Sequence, residues 1–374
     1  MTSAAAGWRA KLKSEWLLLL FAALALGLML LDPHTPADYG RWLQLPTLAG
    51  LLGLMLAIQG IRDSGLVQHA AGALAARVHS LRALGLLLVA GAALLASVLT
   101  NDVSLFLIVP LTLAIGAISN LPVARMVVLE ALAVNAGSTF SPIGNPQNLL
   151  LWQHSQLPFL RFVLAMLPVA GVMFALVAAL TLAWLPKGRA HLQPAQVNGH
   201  AVTVPLAAGS LCALALMVLA MEHGHALAGA LALVAAYLLA ARRVLGRIDW
   251  LLLATFAAIF LGLGHFADLP LVRRGLDHLS LDRPPILFAS GILASQLISN
   301  VPATVLLLDR THDAIALAVA VNVGGSGLAI GSLANLIALR LAKQPQGLRL
   351  FHRVSIPFLL ASAPLAYLAW RWLG

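Results

Sequence analysis

Long apolar runs alternate along this chain with short polar breaks. Crossing about 30 Å of hydrocarbon takes roughly 20 helical residues. Runs on that scale lie at 16–31, 43–60, 125–153, 158–186, 205–221, 226–241, 250–267, 313–342 and 355–373, and they predict nine membrane crossings. Two further apolar stretches, 83–118 and 285–308, are each cut by a polar group: Thr100, Asn101 and Asp102 in the first, Ser299, Asn300, Val301 and Pro302 in the second. Each stretch reads either as a re-entrant hairpin or as an ordinary helix pair with a tight turn.

The runs 125–153 and 313–342 break at matching places. Segments 135–148 and 322–335 align without gaps and share Asn135/Asn322, Gly137/Gly324, Ile143/Ile330, Gly144/Gly331 and Asn148/Asn335. Pro142 and Pro146 remove backbone donors and Gly144 permits an unusual turn, while Gly324, Gly325, Gly327 and Gly331 loosen the second copy. In lipid each unpaired backbone group costs several kcal/mol, so such breaks survive only inside protein or against a water-filled cavity. Matched interruptions in two halves point to a transporter's midplane site, where freed carbonyls suit a cation and half-helix N-termini suit an anion. The alternative is a pair of kinked structural helices.

The likeness between the halves extends upstream. Leu56, Asp63, Leu66, Val67 and Leu74 recur as Leu261, Asp268, Leu271, Val272 and Leu279, and the polar groups follow in the same order. Each half then holds two helices, a hairpin, a broken helix and a final helix. The run at 205–221 is an odd connector and turns the second half upside down. The predicted fold is an all-α polytopic membrane protein with two inverted-topology repeats, each carrying a re-entrant hairpin and a broken transmembrane helix. The repeats are 1–186 and 225–374, with a linker and connector helix at 187–224.

Composition agrees. Of 374 residues, 61% are hydrophobic and 10% charged, and the mean hydropathy of +0.93 is far outside the soluble range. Cys212 stands alone in an apolar run, which excludes a disulfide framework and a thiolate cluster for a soft metal. The net charge of +10 is spread between apolar segments rather than gathered in one patch, which marks topology and argues against nucleic acid. Arg9, Lys11 and Lys13 before 16–31 resemble a signal peptide, yet no small-residue cleavage site follows Leu31, so 16–31 reads as an uncleaved first helix. With the N-terminus cytoplasmic, 16 of the 23 Lys and Arg residues face the cytoplasm, as the positive-inside rule requires.

Asp102 lies deep if its stretch is a hairpin, and an intramembrane carboxylate is a functional candidate. With Thr100 and Asn101 it offers hard oxygen ligands for an alkali cation, or a site for a proton; otherwise it sits at the water-facing tip of a helix pair. Val301 stands where the first group has Asp102. Glu130 is a second proton candidate, or a snorkelling residue near the surface. Asp309, Arg310 and Asp313 mark a polar end. With no Lys or Arg clearly mid-membrane, an anion must be held by helix ends, amides, hydroxyls and a co-bound cation. The twelve His residues show no spacing that suggests a transition-metal site, and no nucleophile–base pairing or cofactor motif suggests an enzyme.

The order Thr100-Asn101-Asp102, then 143–148, then Ser299-Asn300, then 330–335 resembles the ion transporter superfamily, which includes arsenite-efflux pumps, NhaD-type sodium–proton antiporters and divalent anion:sodium symporters. The stretch Pro142 to Asn148 is similar to that of YbiR-type anion transporters. In the symporters a Ser-Asn-Thr triplet at each hairpin tip meets an unwound helix loop to bind sodium and a substrate carboxylate. Residue by residue, the resemblance implies Thr100, Asn101, Gly144, Asn145 and Asn148 at one site and Ser299, Asn300, Gly331, Ser332 and Asn335 at the other. Asp102 and Val301 depart from the third-position Thr, which leaves sodium and proton coupling both open. The implied function is secondary active transport of a small anion, coupled to sodium or protons, in a bacterial inner membrane, with no cofactor expected other than sodium as a coupling ion. Rivals are proton-coupled oxyanion efflux, sodium–proton antiport with Asp102 as the exchanged site, and a channel or non-transporting scaffold. Superfamily members are often dimers that move as an elevator, so a homodimer is a candidate assembly.

Overall fold

The computed structural model describes residues 15–190, 201–277, 279–343 and 346–373. Arg9, Lys11 and Lys13, and much of the predicted linker, lie outside the described residues. Helix makes up 82% of the structure and no strand forms among the described residues, so the all-α class holds. From the N-terminal side the helices are α1 (Trp16–Leu31), α2 (Pro36–Leu43), α3 (Leu45–Asp63), α4 (Leu66–Arg77), α5 (Leu81–Val98), α6 (Asn101–Ile118), α7 (Val123–Thr139), α8 (Pro146–Ser155) and α9 (Phe159–Trp184). They continue with α10 (Val204–Glu222), α11 (Ala226–Ala240), α12 (Arg242–Leu245), α13 (Trp250–Asp268), α14 (Pro270–Asp277), α15 (Pro284–Ile298), α16 (Asn300–Leu308), α17 (Ala314–Val323), α18 (Leu333–Ala342) and α19 (Gly347–Leu373).

Among the described residues, seven helical stretches are long and apolar enough to cross a membrane, against nine crossings expected. Two of the expected nine, 125–153 and 313–342, are each two short helices with a non-helical break: α7 and α8, then α17 and α18. Two more, α1 and α11, are apolar but only 16 and 15 residues long. The seven include both arms of the first interrupted stretch, α5 and α6, with 18 residues each. The second stretch is shorter. α16 has nine residues, a rise of about 14 Å and half the hydrocarbon thickness. Both breaks fall where the polar groups predict them, at Leu99 and Thr100 and at Ser299.

The order of helices repeats. α3 and α13 are both 19 residues long and end at Asp63 and Asp268. A hairpin, a broken helix and a long final helix then follow in each half. The compact units do not coincide with these halves: one comprises 1–60 and 209–278, the other 61–208 and 279–374. The early helices of both halves fall in the first unit, and both hairpins and both broken helices in the second.

In the first unit α1 and α2 pack on α13, and Tyr237 of α11 donates to the hydroxyl of Ser210 on α10 at 2.9 Å. In the second unit the outer ends of α5 and α6 meet one segment. Leu81 N donates to Gly188 O at 3.1 Å and Ala190 N to His79 O at 2.8 Å, while Asn120 Nδ2 donates to Arg189 O at 3.3 Å. The two arms therefore start and finish on the same side. Exposed leucines line α9 (Leu160, Leu164, Leu167) and α19 (Leu360, Leu365, Leu368). Polar groups are gathered inside instead, the distribution expected of a protein solvated by lipid.

Candidate functional site

The two breaks are built by different local chemistry. In the first, Asn145 caps α8: its Oδ1 accepts from Asn148 N at 2.8 Å, and Pro146 occupies the first helical position, where a missing N–H costs nothing. In the second, Ser332 stands at the equivalent N-cap of α18 but makes no side-chain cap bond. Gln296 of α15 braces that loop instead, donating to Gly324 O at 2.5 Å and Ser326 O at 2.7 Å and accepting from Leu328 N at 2.6 Å. Each hairpin approaches its break closely because a glycine lies opposite it. A Cβ on Gly137 would collide with the Ala93 backbone of α5, and one on Gly324 would lie 2.7 Å from the Ser295 Cβ of α15.

Asparagines join the two broken helices. Asn135 Nδ2 donates to Asn335 Oδ1 at 2.8 Å. In the matching arrangement, Asn322 Nδ2 donates to Asn148 Oδ1 at 2.5 Å, and Asn145 Nδ2 donates to Asn322 Oδ1 at 2.8 Å. Asn148 Nδ2 also reaches the carbonyls of Ser138, Thr139 and Ser141, and Asn335 Nδ2 that of Gly325. All five asparagines are at most 3% exposed. The amides of Asn145, Asn148 and Asn335, expected as substrate ligands, are thus engaged in holding one break against the other.

The hairpin tips carry the other expected residues. Asn101 N donates to Gly144 O at 2.9 Å, which docks the first tip on the first break. Thr100 caps α6, and Asn101 Oδ1 accepts from Asp102 N at 2.9 Å. Asp102 is 9% exposed, and its side chain makes no hydrogen bond or ion pair among the described residues. At the second tip Ser299 has φ 72°, a left-handed conformation that costs a non-glycine residue on the order of 1–3 kcal/mol. The Asn300 amide nitrogen lies 3.3 Å from where a Gly325 Cβ would be, so this tip meets the second break. Gly331 closes the short 3-10 turn Ala329–Gly331. The hydroxyls of Ser299, Ser326 and Ser332 are buried without a hydrogen-bond partner among the described residues.

Glu130 lies elsewhere. It is fully buried on α7, where Oε1 accepts from the Thr112 hydroxyl of α6 and Oε2 has no hydrogen-bond partner among the described residues, so it is not a residue snorkelling to the surface. No Lys or Arg is among the buried residues described.

Residues 8–315 match the family described as CitMHS, citrate transporter. The chain belongs to the CitMHS citrate transporter family. It is 38% identical over 348 residues to inner membrane protein YbiR of Escherichia coli K12, covering 93% of each chain. It is 30% identical over 332 residues to the uncharacterized transporter MJ0456 of Methanocaldococcus jannaschii, covering 87% of this chain and 89% of that one. A shorter match, 31% over 144 residues, is to the silicon efflux transporter LSI3 of rice, covering 38% of this chain and 30% of that one. This member of the citrate transporter family is therefore a membrane transporter and not an enzyme.

Sequence reasoning about the transporter missed Gln296, Ser138 and Ser326. Gln296 sits in the apolar run 285–308 as an uncharged polar residue one turn before the break, and that was the available signal. Asn135 and Asn322 were visible as repeat landmarks, but their role as cross-braces needs the partner 174–200 residues away.

Proposed function

We propose that this transporter is a secondary active carrier of a small anion, coupled to sodium or protons, with its site at the two tips and breaks. The observation that carries the reading is the second break. Ser332 caps a half-helix with its hydroxyl unengaged, Ser299 and Ser326 add two more buried hydroxyls without partners, and no buried cation is there to hold an anion. A helix N-terminus attracts negative charge, and an orphaned buried hydroxyl costs about 1–3 kcal/mol unless a ligand satisfies it. Ser299, Asn300, Ser326 and Ser332 then form the anion side. Thr100, Asn101, Asp102 and Gly144 form the coupling side, with Asp102 taking a sodium ion or a proton.

The same reading includes inverted repeats. Exchanging the halves turns Asn135 into Asn322 and Asn335 into Asn148, so the bond Asn135–Asn335 becomes Asn322–Asn148, and both are present. Re-entrant hairpins fit the nine-residue α16 and the shared side of the α5 and α6 ends. The distribution of basic residues supports a cytoplasmic N-terminus.

A second reading, cation–proton antiport, is favoured by one fact: the Asp102 carboxylate has no partner among the described residues. The two separate in the purified protein. Carriage of an anion predicts that citrate or another small anion raises the melting temperature together with sodium or at acid pH, and that Ser332→Ala loses the response with an unchanged ligand-free melting point. No response to any anion, or an unchanged response in Ser332→Ala, overturns the anion reading.

A further inference from the structure

Three side chains in the first compact unit come together although nothing in the sequence marks them. Asp32 and His34 flank the turn between α1 and α2, and His265 lies in the last turn of α13. One ligand atom from each lies within 4.8 Å of the others. His265 Nε2 is 3.5 Å and His34 Nδ1 is 3.8 Å from the same oxygen, Asp32 Oδ2. We propose that Asp32, His34 and His265 bind a first-row divalent metal ion, with zinc as the best match.

The decisive feature is a buried imidazole whose ring nitrogens make no hydrogen bond among the described residues. The His265 side chain is 1% exposed, and among the described residues neither of its ring nitrogens has a hydrogen-bond partner, nor does Asp32 Oδ2, which faces it. Leaving one such polar atom unpaired costs about 1–3 kcal/mol. A bound cation satisfies Asp32 Oδ2 and a His265 nitrogen at once, while His34 Nδ1, 2.9 Å from the Asp32 carbonyl oxygen, exchanges that hydrogen bond for the metal. Tetrahedral zinc with ligands at about 2.0–2.2 Å needs them about 3.3–3.6 Å apart. The Asp32–His265 separation of 3.5 Å falls in that range and the Asp32–His34 separation of 3.8 Å lies just beyond it.

The surroundings hold the rings in place. Trp42 stacks on His265 with centroids 4.5 Å apart and planes 21° apart, and His34 meets His265 edge-on at 4.9 Å. Trp42 is itself fixed by donating Nε1 to Asp268 Oδ2 at 2.8 Å. Asp268 in turn takes Arg41 at 2.8 Å and Arg273 at 2.6 Å, so that carboxylate is neutralised within its own cluster and Asp32 is left to face the imidazoles. The Tyr39 hydroxyl accepts from His34 N at 3.0 Å and holds the loop. Entry is open at the rim, where the His34 and Asp32 side chains are 28% and 38% exposed, while His265 forms the floor.

Ligand chemistry selects the metal. Two imidazoles with one carboxylate suit zinc, cobalt or nickel; alkali ions do not favour imidazole, and magnesium and calcium favour more oxygens. Three protein ligands leave a fourth position for water, as in an open zinc site. The ion would staple the α1–α2 loop to the end of α13, making stability of this region depend on metal. None of this depends on which anion is carried.

The test uses the full chain, purified with its affinity tag removed and stripped with chelator, and then titrated with zinc chloride near neutral pH. One zinc per chain should remain after gel filtration, the melting temperature should rise to a plateau, and cobalt in its place should give visible absorption bands of a tetrahedral site. His34→Gln and Asp32→Asn alter partly exposed groups. They should keep the metal-free melting point and weaken zinc binding on the order of tenfold or more. No retained zinc in the wild type, or unchanged affinity in both variants, overturns the proposal.

Discussion

Replacing Asn322 by leucine removes one of the two asparagine links between the breaks while keeping the number and branching of side-chain heavy atoms. Three hydrogen bonds disappear: to Asn148 Oδ1 at 2.5 Å, to Ala318 O at 2.8 Å, and from Asn145 Nδ2 at 2.8 Å. Asn145 Nδ2 keeps the Ser138 carbonyl and hydroxyl, both at 3.2 Å. Asn148 Oδ1, on a residue with no exposed surface, is left without a partner. An orphaned acceptor costs about 1–3 kcal/mol and each other lost bond about 0.5–1.5 kcal/mol, so the expected loss is about 2–6 kcal/mol. Interhelical bonds in membrane proteins average about 0.6 kcal/mol, which favours the lower end. The assay is unfolding in mixed micelles by a denaturing detergent, followed by helicity, for Asn322→Leu, Asn148→Leu and the double variant. Because Asn148 and Asn322 share one bond, the double variant should lose less than the sum, with a coupling of about 0.5–3 kcal/mol. Strict additivity, within about 0.3 kcal/mol, would refute the brace.

Asp102→Asn should leave the melting temperature near that of the wild type, because the side chain makes no bond to lose, yet abolish the dependence of transport on sodium or pH; unchanged dependence excludes Asp102 as the coupling group. Gly137→Ala should destabilise by about 1–3 kcal/mol or prevent folding, since the added methyl meets the Ala93 backbone rather than a movable side chain. Thermal unfolding checks this. Cysteines placed near Arg82 and Ser119 should react with an impermeant thiol reagent from the cytoplasmic side, and cysteines near Arg283 and Arg310 from the opposite side. A split within either pair contradicts the inverted hairpins.

The helix breaks were legible because proline, glycine and asparagine punctuate otherwise apolar runs, and a helix in lipid has few other reasons to stop. The polar groups at Thr100 and Ser299 marked both hairpin tips for the same reason. Helix count was less legible, since hydropathy sums over a break and reads α7 with α8, and α17 with α18, as single crossings. The roles of the asparagines were hidden by distance: Asn145 and Asn148 look like ligands in sequence, and only the fold shows their amides engaged by Asn322 and the Ser138 carbonyl. Ser299 and Ser332 were singled out through the repeat and the resemblance, whereas Ser326 could not be told from an ordinary helix serine, which bonds back to its own turn, as Ser295 does to Gly291 O. Asp32 and His34 were separated by more than 200 residues from His265, so no spacing rule would have joined them.

The central claim is that an anion crosses through the site at the second break, driven by a cation gradient. Its most direct test is uptake of citrate and a panel of other small anions into proteoliposomes, with sodium and pH gradients imposed separately, for the wild type and for Ser299→Ala with Ser332→Ala. The expected result is saturable, gradient-driven accumulation of at least one anion by the wild type, with a raised half-saturation concentration or no uptake in the double variant. Accumulation of no anion under either gradient, or equal uptake by the variant, would contradict it.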